Sequence, residues 1–278
     1  MRSFVCGFLL ALLVMVQVGC GGVVGSGPVN SSSNGSGSVS SGSPSTPSTP
    51  SPTPSSGGSA DIPANAHVIN DIQLMPNWSS CSGDCSGEFG TNGVYTMQPG
   101  ISQPSVTGSA IRFDLQGGTP WGTALWWKQL GGDDTKTHFV YELQFYLDNP
   151  SASQALEFAV NQNGGGWRYE YAVQCDIKGS HKWRVWNRHS ESWKPSSVGC
   201  PMPTANQWHK LVWEFERTAD HKVVFAAVTL DGQRSEINMT ADAFTASGSG
   251  IDVAYQMDAE GGPTPYSSWV DAIKLTEW

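Results

Sequence analysis

The chain has 278 residues, of which 15 are basic and 24 are acidic, and it contains twelve tryptophans and six cysteines. Only Arg2 precedes residue 61, so residues 61–278 carry 14 basic and 24 acidic side chains, a formal net charge of −10. An acidic region without a basic cluster argues against nucleic acid and anionic lipid as direct partners. Residues 61–278 can bury one large core, and we expect a single monomeric domain.

The N-terminal segment predicts export. Residues 4–18 read FVCGFLLALLVMVQV, which is too short to span a bilayer but fits the apolar region of a secretory signal behind Arg2. The small residues before Cys20 resemble a bacterial lipobox, although Gln17 stands where leucine is usual. This resemblance implies a signal peptide over residues 1–20, lipidation of Cys20, and an exported lipoprotein. An ordinary cleaved signal peptide is the alternative.

A low-complexity tract rich in serine, proline and glycine follows over residues 21–60. It has no charged side chain and almost no apolar ones, so it cannot bury enough surface to offset backbone entropy, and we expect it to be disordered. Such a tract acts as a tether between an anchor and a working domain. Gly21 resembles the residue that directs lipoproteins to the outer membrane, and we expect anchoring there or at the cell surface, through lipid only.

Four cysteines lie in the region after the tether, namely Cys81, Cys85, Cys175 and Cys200. An even number in an exported domain favours disulfides. Cys81 and Cys85 are close together in a turn-rich run, and we pair them with each other and Cys175 with Cys200. Four cysteines permit three pairings, and the sequence alone does not decide among them. Zinc is the rival interpretation, but its ligand spacing requires a second close pair.

Apolar and polar residues alternate with a period of two, which is typical of half-buried strands. The clearest runs are Tyr141–Leu147, Leu156–Gln162, Trp167–Gln174, Trp183–Trp186, Leu211–Glu216, Val223–Ala227, Val253–Met257 and Trp269–Trp278. No long helical stripe follows the signal, although ADAFTA from Ala241 predicts one helical turn. Many short strands separated by Gly, Asn, Asp and Pro predict an all-β sandwich of two antiparallel sheets, one with an exposed concave face.

Four segments carry a family resemblance: Gln154–Gln162, Asn206–Trp213, the Asp231-Gly232 turn and Trp269–Thr276. They resemble the recurring strands of concanavalin A-like jelly rolls, the lectin and glucanase superfamily, and most of all its uncharacterised exported bacterial members. The resemblance implies a jelly-roll β-sandwich over residues 61–278. Because these motifs are structural rather than chemical, they inform the fold better than the activity.

The resemblance also locates the strand that carries catalysis in jelly-roll glucanases, where a pattern like Glu-x-Asp-x-(x)-Glu points two carboxylates to one face. Here Glu157 takes the nucleophile position, Ala159 replaces the aspartate, and Asn161 and Gln162 stand where the acid belongs. An amide cannot protonate a leaving oxygen as a carboxylic acid does. We therefore expect this strand to lack the catalytic pair and favour a protein that is not an enzyme.

Other chemistry stays open. Carboxylates from several strands could form a non-standard glycosidase site; the candidates are Glu170, Glu214, Asp258 and Asp271. A polysaccharide lyase would use His or Tyr with Arg, and the residues available are Tyr171, His181, Arg184 and His189. No organic cofactor is expected. A structural calcium ion is a further candidate, with oxygen ligands from Asp133, Asp134, Asp258 and Glu260.

Binding is the favoured function. Indole rings pack against the flat C–H faces of sugars, while amides and carboxylates bond their hydroxyls. Alternation places one set of such side chains on the concave face: Glu157, Asn161, Gln174, Arg184, Trp186, Gln256 and Asp258. We expect the Trp186 ring to be exposed there, together with Trp193 and one of Trp126 and Trp127, while Trp183, Trp208, Trp213 and Trp269 fill the core. The expected partner is a polysaccharide or oligosaccharide, and a structural or adhesion module that binds protein is the alternative.

Overall fold

Extended segments pair into two sheets in the computed structural model, which describes residues 61–83, 91–132, 135–262 and 264–278. The strands in this part of the chain are β1 His67–Ile69, β2 Ser79–Ser82, β3 Thr91–Asn92, β4 Tyr95–Ile101, β5 Ala110–Leu115, β6 Gly122–Gly131, β7 His138–Leu147, β8 Ser153–Gly164, β9 Trp167–Cys175, β10 Lys182–Asn187, β11 Ser192–Gly199, β12 Trp208–Arg217, β13 Lys222–Leu230, β14 Gln233–Asp242, β15 Phe244–Thr245, β16 Gly250–Ala259 and β17 Tyr266–Glu277. Short 3₁₀ turns lie at Ile72–Leu74, Pro150–Ala152 and Arg188–Ser190.

The strands form an eight-stranded and a nine-stranded sheet, counted over the described residues. The first has the order β14-β13-β12-β7-β17-β5-β4, with β1 paired to β17. The second has the order β11-β10-β9-β8-β16-β6-β2, with β15 beside β9 and β3 beside β6. Only the two-residue pairing of β3 with β6 is parallel among these. The predicted all-β sandwich of two antiparallel sheets is confirmed.

Aromatic side chains from both sheets meet in the core. Phe113 of β5 packs against Trp126 of β6 and Tyr255 of β16, with ring centroids 4.7 and 5.1 Å apart. Phe145 of β7 contacts Phe158 of β8 at 5.7 Å. Successive side chains of a strand point to opposite faces. The chain neighbours of these inward residues therefore form the outer face of the nine-stranded sheet.

The helical turn expected at Ala241 is wrong. Ala241 lies in β14, one residue before its end, and pairs with Val223 of β13, while Phe244 in β15 pairs with Arg168 of β9. Cross-strand pairing therefore overrides the local helix propensity of this alanine-containing segment. Separately, no helix in the described part of the chain has the length and hydrophobicity that crossing a membrane requires.

The Cys175–Cys200 disulfide is present, with Cα atoms 5.6 Å apart, and joins the end of β9 to the segment that follows β11. Cys81 is also disulfide-bonded. Its predicted partner, Cys85, lies outside the described residues, as do Cys20, the signal peptide and the tether.

Candidate functional site

The seven predicted site residues all lie on strands β8, β9, β10 and β16 of the nine-stranded sheet, on its outer face. Glu157 of β8 stands opposite Gln256 of β16 on one side and Gln174 of β9 on the other. Gln174 stands opposite Arg184 of β10. Their chain neighbours point into the core. We call Arg184, Gln174, Glu157 and Gln256 the first polar row; Asp258 adjoins it, two residues beyond Gln256 on the same face.

Hydrogen bonds tie the first polar row together. Arg184 donates to the side-chain oxygen of Gln174, and the Gln174 amide donates to Glu157 and, at 3.3 Å, to Asp258. Gln256 donates to the other oxygen of Asp258 at 3.1 Å. The Arg184 guanidinium also lies 3.2 Å from the carboxylate of Asp176. The row is therefore a connected network of amides and charges rather than a set of separate side chains.

Glu157 and Asp258 are hydrogen-bonded to each other. Burial, the charge of Asp258 and this hydrogen bond raise the pKa of Glu157 well above its ordinary value. Burial also raises the pKa of Asp258 to about 6, although hydrogen bonds from Glu157 and Gln256 oppose the rise. Of the two groups, Glu157 therefore holds its proton more readily and donates the hydrogen bond to the Asp258 carboxylate, as expected when two buried carboxyl groups share a site.

This contact distinguishes the pair from the carboxyl pairs of glycoside hydrolases. Retaining enzymes hold their two carboxyl groups about 5–5.5 Å apart and inverting enzymes about 6.5–9.5 Å apart, so that a sugar carbon or a water fits between them. A direct hydrogen bond joins Glu157 to Asp258 and leaves no such space. The pair is arranged to accept and donate hydrogen bonds.

The other carboxylates considered for catalysis do not join this pair. Glu170 is bound by Arg168 at 2.8 Å, further along the face. Glu214 belongs to β12 of the eight-stranded sheet, where Arg234 binds it at 2.8 Å. Asp271 is fully buried and holds a loop, as described below. Among the groups considered for a lyase, Tyr171 is buried in the core, on the opposite side of the sheet from Arg184.

A second polar row runs parallel to the first on the same outer face. Asn161 of β8 stands between Glu170 of β9 and Asp252 of β16, and donates to Asp252 at 2.8 Å. Gln129 of β6 stands on the far side of Asp252 and hydrogen-bonds it. Burial raises the pKa of Asp252, although these hydrogen bonds and the Arg168 charge oppose the rise. Asp252 was not predicted as a site residue, although it shares the alternation of Gln256 and Asp258.

Between the two rows lie three alanines, which we call the alanine floor. Ala172 of β9 stands opposite Ala159 of β8, which stands opposite Ala254 of β16. At 3.3–3.4 Å per residue, the two polar rows are about 13 Å apart across this floor. Methyl groups reach less far from the sheet than the amides and carboxylates on either side. The outer face therefore has a shallow trough that crosses the strands at right angles.

Tryptophans stand at both ends of the alanine floor. Trp127 of β6 is half-buried and opposite Ala254. At the other end, Trp186 of β10 pairs with Trp193 of β11, with ring centroids 5.3 Å apart. Four strand spacings of about 4.8 Å separate β6 from β10, so the floor is about 19 Å long between its indoles.

The expectation that the Trp186 ring is exposed is wrong, because only 7% of the residue is accessible. The ring is on the outer face as predicted, but its cross-strand neighbour Trp193 packs against it. Trp193 is the more accessible of the two, and the Arg184 guanidinium lies 5.9 Å from its ring centroid. The solvent-facing indole at this end is therefore Trp193.

The predicted division of the other tryptophans is partly wrong. Trp183 and Trp213 are in the core, as is Trp126, which leaves Trp127 as the outward member of its pair. Trp208 and Trp269, predicted for the core, are partly exposed. They lie on the outer face of the eight-stranded sheet on either side of Tyr146, at 5.6 and 5.3 Å. The next residues along their strands, His209 and Val270, are buried and take the inward positions.

No group of three metal-ligating side chains occurs within the described ranges. Asp133 and Asp134, two of the expected calcium ligands, lie outside them. Asp258 adjoins the first polar row, where Gln174 and Gln256 donate to it, and Glu260 is ion-paired with Lys178 at 3.1 Å.

No protein-family model and no curated protein matches this chain. Solved structures with a related arrangement include the carbohydrate esterase vb_24B_21 from the Shiga toxin-encoding bacteriophage phi24B, with 15% identity over 72% of this chain and 89% of that one and a TM-score of 0.43. A family 11 carbohydrate-binding module from Clostridium thermocellum has 17% identity, 76% and 94% coverage and a TM-score of 0.37. The Emp47p carbohydrate recognition domain has 11% identity, 80% and 99% coverage and a TM-score of 0.44. At these values, function has to be argued from the site itself.

Proposed function

We propose that the outer face of the nine-stranded sheet binds a polysaccharide or oligosaccharide whose chain lies along the alanine floor. The observation that carries the proposal is the trough itself, with a flat apolar base, a polar row on each side and an indole at each end. A sugar ring has a flat C–H face and a rim of hydroxyls. The floor and the indoles receive the face, and the two rows receive the rim.

The length and chemistry of the trough fit a chain of several sugar rings. It extends about 19 Å between Trp127 and Trp186, counted as four strand spacings. Asn161, Gln174 and Gln256 are at most 8% accessible and hydrogen-bond other members of their rows, whereas Glu157, Glu170 and Arg184 are partly exposed. The sugar hydroxyls therefore meet these charged groups, which the amides beneath them orient. Because these amides are already held in networks, they are oriented before a ligand arrives, which lowers the entropy cost of binding.

Two alternatives fit the site less well. A glycosidase needs space between its carboxyl groups, and Glu157 and Asp258 are in direct contact. A protein partner generally buries a broad apolar centre within a polar rim. Here the apolar base is one residue wide and hydrogen-bonded rows border it on both sides. We favour saccharide binding without catalysis on both grounds.

The cellular location and the oligomeric state proposed for this protein are supported by the sequence alone. We infer that Cys20 carries a lipid, that residues 21–60 form a tether, and that the sandwich is a monomer displayed at the outer membrane or cell surface. Mass spectrometry of the mature N-terminus tests the lipid, and sedimentation tests the monomer. An unmodified N-terminus beyond Cys20 would contradict the anchor.

The binding test uses a substitution that fills the trough. Ala159→Leu places a branched side chain on the floor, while Ala226→Leu makes the same change at a half-buried position of β13 in the other sheet. Both proteins and the wild type are run through gels containing barley mixed-linkage β-glucan, konjac glucomannan, birch xylan or polygalacturonate. We expect at least one gel to retard the wild type and Ala226→Leu, with Ala159→Leu retarded at least about fivefold less.

Reducing ends are measured in the same samples. If no gel retards the wild type, or if Ala159→Leu is retarded as strongly as the wild type, the binding proposal is wrong. Release of reducing ends by the wild type that Glu157→Gln abolishes would instead establish an enzyme that cleaves polysaccharide.

A further inference from the structure

Trp121 differs from every other tryptophan of the chain in its exposure. All twelve lie within the described residues, and only Trp121 is more than half accessible, at 54%. It directly precedes β6, in a segment that follows Thr119 and Pro120. A single exposed aromatic residue is common on protein surfaces and indicates nothing by itself.

The backbone of Trp121 is the second observation. Its φ of 60° lies in the left-handed region, which bulky residues adopt rarely and at a cost. Backbone hydrogen bonds hold it there, because its N–H donates to the Glu260 carbonyl at 3.2 Å and its carbonyl accepts from the Thr91 N–H at 3.1 Å. Strain that the surrounding chain holds in place is concentrated at functional positions.

The ring has a fixed position as well. It lies against Gly261, where an added Cβ would come within 2.8 Å of the indole, so a side chain at residue 261 would displace it. A glycine next to the ring and a strained backbone beneath it together hold one large aromatic face out in solvent. Closing a turn requires only the backbone conformation of this residue and does not require an aromatic side chain.

The place of Trp121 relates it to the proposed site. Thr123, two residues later, stands opposite Asp258, so Trp121 lies beyond the Asp258 end of the first polar row. Trp127 is six residues further along β6, which is about 20 Å at 3.3 Å per residue. A saccharide lying across the strands on the alanine floor therefore does not reach Trp121.

We propose that Trp121 is a second stacking site for the same polysaccharide, occupied by another stretch of the polymer than the one on the alanine floor. This inference rests on the proposed function. Glu260, which precedes Gly261 and is ion-paired with Lys178, adds charged side chains to the segment that contacts Trp121. Two separated contacts on one tethered domain increase retention on a polymer through effective concentration, and a short oligosaccharide gains nothing from the second contact.

The experiment compares polymer with oligomer. The probe is whichever polysaccharide of the gel panel retards the wild type most strongly, together with its own tetrasaccharide measured by calorimetry. We expect Trp121→Ala to weaken polymer affinity about 2- to 12-fold, the range typical of an aromatic stacking contact, and to leave tetrasaccharide affinity unchanged. Trp121→Tyr keeps a ring and should retain most of the polymer affinity, whereas Ala159→Leu should lose both.

Thermal unfolding separates a ligand role from a structural one. Trp121→Gly should leave the Tm within a few degrees of the wild type, because relief of the left-handed backbone offsets the lost contact between the ring and Gly261. Asn238→Gly, with a φ of 51° on β14, is the matched backbone control and should retain full polymer affinity.

The outcomes are distinct. Unchanged polymer affinity in Trp121→Ala, with Ala159→Leu still defective, overturns this inference and leaves the proposed function standing. A large fall in Tm for both Trp121→Ala and Trp121→Gly assigns the residue a structural role and also overturns it. A wild type that no polysaccharide retards removes the proposed function and this inference with it.

Discussion

At the scale of single residues, the Glu157–Asp258 contact is the feature with the clearest physical consequence. A buried carboxyl group costs the fold little while it is protonated and more once it must ionise. The pKa of Asp258 is raised to about 6, chiefly by burial. The folded protein therefore binds protons more tightly than the unfolded chain between about pH 4 and pH 6.

This difference predicts how Asp258→Asn changes stability with pH. Since the native state holds more protons, the contribution of Asp258 to stability is greatest below pH 4 and is lost as the pH rises through about 6. Asparagine does not titrate and can still accept from Gln256. We expect the variant to gain up to about 3 kcal/mol over the wild type above pH 7, and little at pH 4.

Urea unfolding from pH 4 to pH 8 measures this gain, with Asp61→Asn as a matched change of an exposed carboxylate. A gain that is equal at all pH values, or that grows as the pH falls, would show that the carboxyl pair does not titrate as described.

At the scale of elements, Asp271 fastens the loop before β5 to a bulge in β17. It accepts from the hydroxyls of Ser105 and Thr107 at 2.6 Å each, and from the N–H groups of Val106 and Thr107 at 2.8 and 3.0 Å. Burial alone would raise the pKa of Asp271, but these hydrogen bonds hold it below its ordinary value. The register shift that follows Asp271 places Ala272 at a φ of 50°.

Asp271→Asn should therefore destabilise the domain by about 3 kcal/mol at pH 7, since one acceptor oxygen becomes a donor facing buried hydroxyl and N–H groups. Because the folded-state pKa is lowered, the wild-type advantage is present above the unfolded pKa near 4 and is lost as the pH falls below it. Asp242→Asn, which breaks an exposed ion pair with Lys222, should cost less than about 1 kcal/mol. Equal losses in the two variants would show that the loop is held by other contacts.

The elements also show what the sequence could and could not predict. Alternation along a strand is local, so the runs around Glu157, Gln174 and Gln256 were enough to place those side chains on one face. Which residue stands beside which depends on register between distant strands, so the alanine floor was not visible in the sequence. The outward positions of Trp208 and Trp269 follow from the same alternation, because the inward positions of their strands belong to residues such as Leu211 and Val270.

At the scale of the whole molecule, the packing of the core determines which side chains lie side by side on the outer face. A one-residue slip of a strand would move its whole apolar set from the core to solvent, so the buried aromatic contacts between the sheets fix each register. The same registers align Ala172, Ala159 and Ala254 across three strands. The trough therefore follows from core packing, and its rows need no covering element to hold them.

The Cys175–Cys200 disulfide constrains the segment that forms the Trp186 and Trp193 end of this trough. It closes a segment of 25 residues that contains β10 and β11, and with them Trp186 and Trp193. Closing a loop of this size stabilises a domain by about 2–4 kcal/mol, chiefly through the unfolded chain. β11 is an edge strand and pairs only with β10 among the described strands, so it has few other constraints.

Replacing both cysteines by serine should therefore lower the free energy of unfolding by about 2–4 kcal/mol and speed hydrogen exchange first in β10 and β11. Exchange in β6, at the Trp127 end, should change less. Saccharide affinity should fall because the Trp193 end is no longer held in place before binding. Hydrogen exchange with mass spectrometry resolves the two ends, and Ala226→Leu serves as a variant that leaves both intact. Equal acceleration at β6 and β11 would mean that the disulfide supports the whole sandwich rather than this end of the trough.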